Sequence, residues 1–268
     1  MPTEILQSII LGLVQGITEF LPISSSAHLL IFHNFWESSL ENSLTFDVFL
    51  HFGTLLALII YFFKDIIQLI KGFFASIFRN NFRKKFEQRL SWFLLVATIP
   101  AGLVGYFFGD FIENNLRSIP VAIGALVGVG ILFILVERFV KVLRSLEVIN
   151  LGDSIFIGLA QILALIPGVS RSGITIVAGM SKKLNRGASA KFAFLMGIPI
   201  ILGAVIKQLS ETNISEISLA YFFGLASAFV AGMISIRFLM NFLTKHSLTG
   251  FAIYRFVLAA ALIVIFIL

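Results

Sequence analysis

Six apolar segments, each about as long as a lipid bilayer is thick, constrain this chain more than any other feature. A helix needs about 20 predominantly apolar residues to span the hydrocarbon core. Only 13% of the 268 residues are charged, which is about half the charged fraction of a soluble domain. We therefore predict an all-α integral membrane protein with six transmembrane helices. The segments cover roughly residues 46–63, 91–109, 119–137, 191–208, 218–240 and 249–268.

Two further apolar stretches, residues 5–32 and 154–180, are each interrupted by a proline and a cluster of serines. Inside a membrane, the backbone groups that such a break sets free must bond to protein or to water in a cavity. We interpret both stretches as re-entrant helical hairpins, one in each half of the chain.

The distribution of lysine and arginine predicts the orientation of the chain. Sixteen of the 20 cations lie in the connections 64–90, 138–147, 182–191 and 237–246, whereas the alternate connections are rich in Asp and Glu. Cytoplasmic connections carry the excess of Lys and Arg, so the first hairpin should open to the outside and the second to the cytoplasm. The net charge of +6 follows from this topology and does not indicate a nucleic-acid partner. The chain has no cysteine, which excludes disulfides and cysteine-based zinc sites.

An internal repeat relates the two hairpins at an offset of 146 residues. The sequence Gly-Leu-Val-Gln at 12–15 corresponds to Gly-Leu-Ala-Gln at 158–161, and the same offset places Ser24 on Ser170. The two halves of the chain are therefore predicted to share one structural plan.

Each half contains one hairpin and three spans, and because three is an odd number, the two halves should be inverted in the membrane. We predict a single membrane domain, 1–268, built from an inverted repeat of 1–140 and 150–268. Inverted repeats with broken helices place their site at the repeat interface, near the midplane of the membrane.

Glu19 lies inside the first hairpin, where an ionisable side chain is costly to bury. A charge at the centre of a membrane helix costs about 2.5–3.5 kcal/mol, so this carboxylate needs a cation, a metal ion or a proton as its partner. Gln15 lies one helical turn earlier, so both side chains can face the same point. The pair could be a structural hydrogen bond between helices. We favour a functional site, because ionisable residues at membrane depth usually mark one.

The serines at 24–26 follow Pro22 and precede an apolar helix. One serine at such a point commonly caps a helix, but a cap does not need three hydroxyls with a histidine close behind. Ser25 and His28 are three residues apart and share a helical face. The pair indicates a serine nucleophile with its base, or an imidazole that activates a water or protonates a leaving group. A structural histidine is the alternative.

The sequence Pro-Gly-Val-Ser-Arg-Ser-Gly at 167–173 is the most specific feature of the second hairpin. Its glycines allow a close approach of the backbone, and its serines begin a second helix, whose free N–H groups and dipole attract an anion. Arg171 adds a permanent charge that is shaped for phosphate oxygens. We predict a phosphate site here, with a structural ion pair between Arg171 and Glu19 as the alternative. The other residues concerned are Gly168, Ser170, Ser172 and Gly173.

Three further polar residues are harder to assign. Arg255 lies about one and a half turns into the last span, from which its side chain could snorkel to the cytoplasmic interface, and we expect a structural role. Asp47 and His51 lie one turn apart at the outer end of a span. They either line the entrance of a site or are ordinary interfacial residues.

Small residues recur at helical spacing in two spans, as Gly124-xxx-Gly128 and Gly224-xxx-Ala228-xxx-Gly232. Such patterns let two helices approach closely. They either pack helices of one chain or join two chains, and we favour packing within the chain.

The two broken stretches also carry a family signal. The sequence Gln-Gly-Ile-Thr-Glu-Phe-Leu-Pro-Ile-Ser-Ser-Ser-Ala-His at 15–28 and the motif at 167–173 resemble the undecaprenyl-diphosphate phosphatase family, also called the bacitracin-resistance proteins. Smaller matches are Thr-Ile-Pro-Ala-Gly at 98–102 and Tyr-Arg at 254–255. The resemblance thus extends over nearly the whole chain.

This resemblance implies hydrolysis of undecaprenyl diphosphate to undecaprenyl phosphate and inorganic phosphate at the outer face of the bacterial cytoplasmic membrane. The reaction recycles the lipid carrier for cell-wall synthesis and confers bacitracin resistance. The resemblance also implies a divalent ion, Mg²⁺ or Ca²⁺, held by Glu19, and a homodimer among membrane lipids. It assigns catalysis to Glu19, Ser25, His28 and Arg171. We expect the other polar and glycine positions of the motifs to bind substrate, namely Gln15, Ser24, Ser26, Gly168, Ser170, Ser172 and Gly173.

Many members of the family have glutamate at the position of Gln15. A neutral amide binds a divalent ion less strongly than a carboxylate does. A metal ion in this chain must therefore rely on Glu19 and on the phosphates of the substrate, which suits Mg²⁺.

Two other classes of function stay open. An inverted repeat with two broken hairpins is also the architecture of transporters, so the chain could move a lipid carrier across the membrane, alone or together with hydrolysis. The second alternative is a structural membrane subunit, against which the buried Glu, Arg and His argue. The Lys/Arg–Pro and His–Asp pattern of acid-phosphatase-type lipid phosphatases is not found in the sequence.

Overall fold

The structure is a computed structural model that describes residues 2–35, 44–78, 85–211 and 218–266. The predicted connections include residues 36–43, 79–84 and 212–217, which lie outside the described residues. All regular elements in the described ranges are helices, apart from one isolated β-bridge between Arg144 and Leu184.

Eleven α-helices and two 3₁₀ turns follow one another in the described part of the chain. The 3₁₀ turns are Leu146–Val148 and Leu163–Leu165. The helices are α1 (Pro2–Phe20), α2 (Ser25–Phe35), α3 (Leu44–Tyr61), α4 (Phe63–Phe78), α5 (Phe86–Leu116), α6 (Ile119–Phe139), α7 (Leu151–Ile162), α8 (Arg171–Ser181), α9 (Arg186–Glu211), α10 (Leu219–Phe242) and α11 (Thr249–Phe266).

Five of the described helices, α5, α6, α9, α10 and α11, are each long and apolar enough to cross a membrane. A sixth candidate is the pair α3 and α4, which are bent by 77° at a short break. Each of the six predicted apolar segments coincides with one of these elements. The prediction of an all-α membrane protein with several spans is therefore confirmed.

The segment after α3 is not the simple connection that its charges suggested. Residues 63–78 form α4, which exposes the cations Lys64 and Lys71 together with the apolar side chains of Phe74 and Phe78. A helix with this mixed exposed face is typical of one that lies along a membrane surface. The sequence prediction missed it because polar residues interrupt its apolar residues every few positions.

The outside of the helices is apolar, and part of the interior is polar, which reverses the pattern of a soluble protein. Phe107 and Phe139 are mostly exposed, whereas Gln15, Glu19 and Arg255 are buried. Lipid is a suitable solvent for the exposed rings. The buried polar groups must find their partners inside the protein.

The two hairpins break with the same local geometry. Ser24 and Ser170, which directly precede α2 and α8, have φ values of 75° and 72°, an uncommon conformation for a residue with a side chain. The Ser24 hydroxyl accepts a hydrogen bond from the N–H of Ala27 at 3.3 Å, and the Ser170 hydroxyl accepts one from the N–H of Gly173 at 3.2 Å. The offset of 146 residues thus relates two turns of one kind.

Each broken hairpin packs against a helix from the other half of the chain. Gly12 of α1 lies against α10, where an added Cβ would come within 2.3 Å of Gly224 O. Gly158 of α7 lies against α5 in the same way, and its Cβ would come within 2.4 Å of Ala97 O. The first helix of each hairpin is therefore packed against the other half of the chain. The single domain and the inversion of its halves in a membrane stay predictions.

The small-residue patterns have two different outcomes. Gly224 and Gly232 of α10 pack against phenylalanine side chains of α3 and α1, as predicted. A Cβ added to Gly124 or Gly128 of α6 would meet none of the described atoms within 4 Å. Packing within the chain was therefore the wrong prediction for Gly124 and Gly128, although Gly130 of the same helix lies against Phe256 of α11.

Candidate active site

Glu19 and Arg171 join the two helix breaks. Glu19 lies in the last turn of α1, and Arg171 is the first residue of α8. Arg171 Nη2 donates a hydrogen bond to Glu19 Oε1 over 2.9 Å, and the two side chains are 12% and 6% exposed. The ion pair between Arg171 and Glu19, which the sequence offered as the alternative to a phosphate site, is formed. The fork of donors on the guanidinium also matches the oxygens of a phosphate.

The other oxygen of Glu19 gathers polar residues of the first half. Glu19 Oε2 accepts hydrogen bonds from the Ser25 hydroxyl at 2.8 Å and from Gln15 Nε2 at 3.2 Å. Gln15 is fully buried, and its Oε1 has no hydrogen-bond partner among the described residues. Leaving a buried acceptor unsatisfied costs about 1–3 kcal/mol, a cost that a bound ion or water would relieve.

Serines of each break bond across to the other break. The Ser26 hydroxyl accepts a hydrogen bond from the N–H of Gly168 at 3.2 Å, and the Ser172 hydroxyl donates to the Leu21 carbonyl at 3.4 Å. Gly168 has a φ of 92°, and an added Cβ would lie 2.7 Å from Ala122 Cα. Only glycine fits this point, because both the conformation and the close approach exclude a side chain.

The start of α8 turns toward the same break. Its Gly173 N–H is already capped by Ser170. The N–H groups of Arg171 and Ser172 occupy the first two positions of the helix, where an α-helix provides no internal acceptor. They can therefore donate hydrogen bonds to an anion that is bound next to the guanidinium.

Arg255 does not snorkel to the interface, contrary to the sequence prediction. Its side chain is completely buried and donates to the carbonyls of Pro22 at 3.3 Å and Gly168 at 2.8 Å, one in each break. It also donates to Ala125 O at 3.0 Å and Leu126 O at 3.1 Å in α6. The guanidinium thus connects both breaks to α6. Its role is structural, as expected, but it acts inside the protein and not at the interface. The position of Arg255 along its span could not reveal which carbonyls other elements bring to it.

His28 is not the hydrogen-bond partner of Ser25. Its Nδ1 lies 2.7 Å from Ser24 O, and its Nε2 lies 2.7 Å from the Tyr254 hydroxyl. Both ring nitrogens are therefore occupied, and the Ser25 hydroxyl bonds to Glu19 instead. The expected contact between Ser25 and His28 was wrong, because the carbonyl one turn before His28 and a tyrosine from α11 hold the ring.

His51 is the residue that the sequence left undecided and that the structure brings into the site. Its Nδ1 lies 3.0 Å from Gln15 Nε2 and 3.7 Å from Glu19 Oε2. Asp47, one turn earlier on α3, instead accepts a hydrogen bond from Arg117 at 3.1 Å. The sequence signal for His51 was only a pair of polar residues in an apolar span.

A groove of about 580 Å³ leads away from this cluster. Ser26, His51 and Pro167 line it near the breaks. Four further ionisable residues also line it, namely Asp47, Glu113, Arg117 and Lys207. The remaining lining is largely apolar and contains many small residues, among them Gly102, Gly105, Gly109, Gly203 and Ala204. Such a lining suits an elongated apolar ligand with a polar end.

The donors for a metal ion are few. No group of three or more His, Asp or Glu side chains could hold an ion within the described ranges. The available oxygens are the Glu19 carboxylate and the unpartnered Oε1 of Gln15. Mg²⁺ is often bound by one or two carboxylates together with substrate phosphates and waters, whereas Ca²⁺ takes six to eight oxygens. The residues fit a Mg²⁺ ion that shares its ligands with a phosphate, and they do not fit a Ca²⁺ site supplied by the protein alone.

The fold and the site together define a class, namely a polytopic helical membrane protein with a buried centre suited to phosphate at the meeting point of two helix breaks. The model of the family described as bacitracin resistance protein BacA matches residues 8–261. The chain belongs to this family.

Relatives from several organisms are similar over nearly their full length. An undecaprenyl-diphosphatase of Rubrobacter xylanophilus is 42% identical over 262 residues, or 96% of each chain. One from Moorella thermoacetica is 42% identical over 265 residues, and one from Thermodesulfovibrio yellowstonii is 43% identical over 268, with 98% of each chain covered in both cases.

Proposed function

We propose that the chain is a lipid-diphosphate phosphatase that hydrolyses undecaprenyl diphosphate to undecaprenyl phosphate and inorganic phosphate. In this reaction one water is consumed, an oxygen–phosphorus bond forms at the terminal phosphorus, and the anhydride bond to the lipid phosphate breaks. The contact between Glu19 and Arg171 carries the proposal, because it brings together a cation that can bind phosphate oxygens and a carboxylate that can accept a proton or hold a metal ion. The names of the relatives give the substrate.

The terminal phosphate binds at the start of α8. Arg171 and the first backbone N–H groups of the helix hold its oxygens and stabilise the charge that develops there during transfer. Glu19 is then the acceptor closest to Ser25. It takes the proton of the attacking group, which is either the Ser25 hydroxyl or a water in its place. If Ser25 attacks, a phosphoserine forms and water releases phosphate from it in a second step.

Mg²⁺ belongs to the proposal as an ion that would share its ligands between the protein and the diphosphate. Glu19 and Gln15 Oε1 would be its protein ligands, and the ion would neutralise charge on the phosphates. If this is correct, EDTA should stop phosphate release and Mg²⁺ should restore it. Undiminished turnover in EDTA would remove the ion from the proposal.

The polyprenyl tail lies in the groove. Gly105 lines it, and a Cβ added there would meet only Leu165 side-chain atoms, at 3.6 Å or more. Gly105→Leu should therefore raise KM for a C55 diphosphate far more than for a C15 diphosphate, because only the long tail reaches beyond the first part of the groove. Equal effects on both substrates would place the tail elsewhere.

The family resemblance implies a bacterial cytoplasmic membrane as the setting. The cations in the predicted cytoplasmic connections favour an orientation in which the site opens to the outer face. Recycling of the lipid carrier at that face would supply cell-wall synthesis and confer bacitracin resistance. Overexpression in a bacitracin-sensitive host tests this, and an inactive Arg171→Ala variant should give no protection.

A homodimer is implied by family resemblance, and α6 offers a surface for it. Gly124 and Gly128 are exposed on one face of α6 with open space in front of both, a pattern that packs helices of two chains in a membrane. Gly128→Leu should shift the purified protein from dimer to monomer in light scattering. A monomeric wild-type protein would contradict the dimer.

Phosphate release by the purified protein in detergent tests the central claim. Arg171→Ala and Glu19→Ala should each lower kcat/KM by about 10²-fold or more, since either change removes a preorganised charge. Arg237→Ala, which changes an exposed arginine of α10, should leave it unchanged. Retained turnover in both site variants would overturn the assignment.

Movement of the carrier across the membrane is a second candidate function. It is favoured by the matching geometry of the breaks at Ser24 and Ser170, since paired broken helices allow a site to open to either side. Proteoliposomes with a fluorescent lipid phosphate would separate the two functions, because hydrolysis needs no compartments. Absence of movement in liposomes that still release phosphate would exclude the transport role.

A further inference from the structure

Two histidines lie close to the candidate active site, and the structure distinguishes them sharply. His28 is buried, with both ring nitrogens occupied by Ser24 O and the Tyr254 hydroxyl. The His51 side chain is 36% exposed and lines the groove beside Ser26. We propose that His51, and not His28, is the imidazole that contacts the diphosphate, and that His28 is a positioning residue of the first break. This inference rests on the proposed function.

The hydrogen bonds around Gln15 fix the orientation of His51. The ionised Glu19 carboxylate can only accept, so the atom of Gln15 that lies 3.2 Å from it must be the amide nitrogen. The same nitrogen lies 3.0 Å from His51 Nδ1, which must then be the acceptor in a neutral ring. The hydrogen of that ring is therefore on Nε2.

His51 Nε2 is left as a donor without a hydrogen-bond partner among the described residues. The ring belongs to the groove wall at the end where Ser26 and Pro167 also line it. A diphosphate held by Arg171 next to Glu19 would have oxygens in this region. The donor is thus available to the substrate, whereas the Nε2 of His28 is bound to Tyr254.

The neutral side chain at position 15 gives His51 this role. Glutamate at that position would present only acceptors to the ring and would bring a second negative charge close to Glu19. With glutamine, the amide nitrogen donates one hydrogen to Glu19 Oε2 and the other to His51 Nδ1, and so holds the ring in the tautomer that carries its hydrogen on Nε2.

Substitution of both histidines in the full-length protein tests the proposal. His51→Ala should lower kcat for lipid diphosphate by about 10²–10³-fold, the usual effect of removing one preorganised donor. Its Tm should fall by no more than about 2–4 °C, because only the hydrogen bond from Gln15 is lost among the described residues. His51→Gln should recover a part of the lost kcat, because its amide supplies a donor. His246→Ala is the matched control, since His246 is exposed and bonds only to Phe242 O in the described part of the chain, and it should behave as wild type.

His28→Ala should differ from His51→Ala by lowering Tm further, together with activity, because the ring holds the turn at Ser24. Wild-type kcat and KM in His51→Ala would overturn the proposal. A loss of kcat that is accompanied by a fall in Tm as large as that of His28→Ala, with no recovery in His51→Gln, would also overturn it, since it would show a structural role.

Binding of farnesyl methylenediphosphonate, which cannot be hydrolysed, separates this inference from the proposed function. The analogue should raise the Tm of the wild-type protein and raise it less in His51→Ala. If wild-type protein binds the analogue in this way but releases no phosphate from lipid diphosphate, the proposed function fails and the contact of His51 stands. If the wild-type protein is active and the analogue stabilises both forms equally, the contact fails alone.

Discussion

Arg255→Met tests how the two helix breaks are held together. The guanidinium bonds to Pro22 O and Gly168 O, and neither carbonyl lies within a helix. Methionine keeps the length and apolar bulk of the side chain but has no donor. An unsatisfied buried acceptor costs about 1–3 kcal/mol, so the two carbonyls together cost about 2–6 kcal/mol. Removing the buried charge also relieves its desolvation, so we expect the lower part of this range, about 2–4 kcal/mol.

Thermal unfolding of the purified protein measures this cost. Because 1 kcal/mol corresponds to about 2–4 °C in Tm for a protein of this size class, Arg255→Met should lower Tm by at least about 4 °C. Phosphate release should fall with it, since both carbonyls belong to the turns that carry the site. Arg255→Lys should be intermediate, because a single ammonium cannot replace a planar fork of donors.

Arg237→Met is the matched control, since Arg237 is exposed on α10 and its loss leaves no buried carbonyl behind. A Tm for Arg255→Met equal to that of the wild type would refute the reasoning, because it would mean that the break carbonyls do not depend on the guanidinium.

Three further predictions concern single contacts. Gly168→Ala should prevent folding or lower Tm strongly, because its φ of 92° and the backbone of α6 leave no room for a Cβ, and a normal Tm would contradict this. Tyr254→Phe removes one hydrogen bond to His28 and should cost about 0.5–1.5 kcal/mol in unfolding free energy, with KM unchanged in the phosphate-release assay. Glu137→Gln weakens the ion pair with Arg186; the Glu137 side chain is 9% exposed and that of Arg186 is 31% exposed. The change should lower the free energy of unfolding by about 1–3 kcal/mol after allowance for solvent screening. Activity of Glu137→Gln should persist below its lowered Tm, and an unchanged Tm would show that this ion pair does not contribute to stability.

Several parts of the site could be predicted from the sequence. Each depends on a single residue whose charge or chain break is energetically costly in lipid and therefore requires a partner. A carboxylate and an arginine within apolar stretches need partners at membrane depth. The sequence alone therefore suggested an ion pair between Glu19 and Arg171. The serine turns could be placed because proline and serine end one helix and cap the next. The offset of 146 residues between Ser24 and Ser170 then predicted two similar breaks.

Other parts could not be predicted, because they depend on which distant elements come together. Helical spacing placed His28 on the same face as Ser25, but a carbonyl one turn away and Tyr254, from the far end of the chain, hold its ring. The sequence left open whether His51 lines a site or is an ordinary interfacial residue, and only the packing of α3 against α1 brings it to Gln15. Gly124 could not be distinguished from Gly224 by spacing, since only the neighbour of each helix decides whether a small residue is covered.

The sequence by itself determined that this chain is an all-helical membrane protein with two broken hairpins, because apolar length and helix-breaking residues act locally and lipid permits few alternatives. The tertiary structure alone decided which polar groups meet at the breaks. The burial of Arg255 shows why, since one guanidinium bonds to carbonyls from both hairpins and from α6. Such a contact depends on how whole helices pack together. The spacing of residues along a single helix cannot predict it.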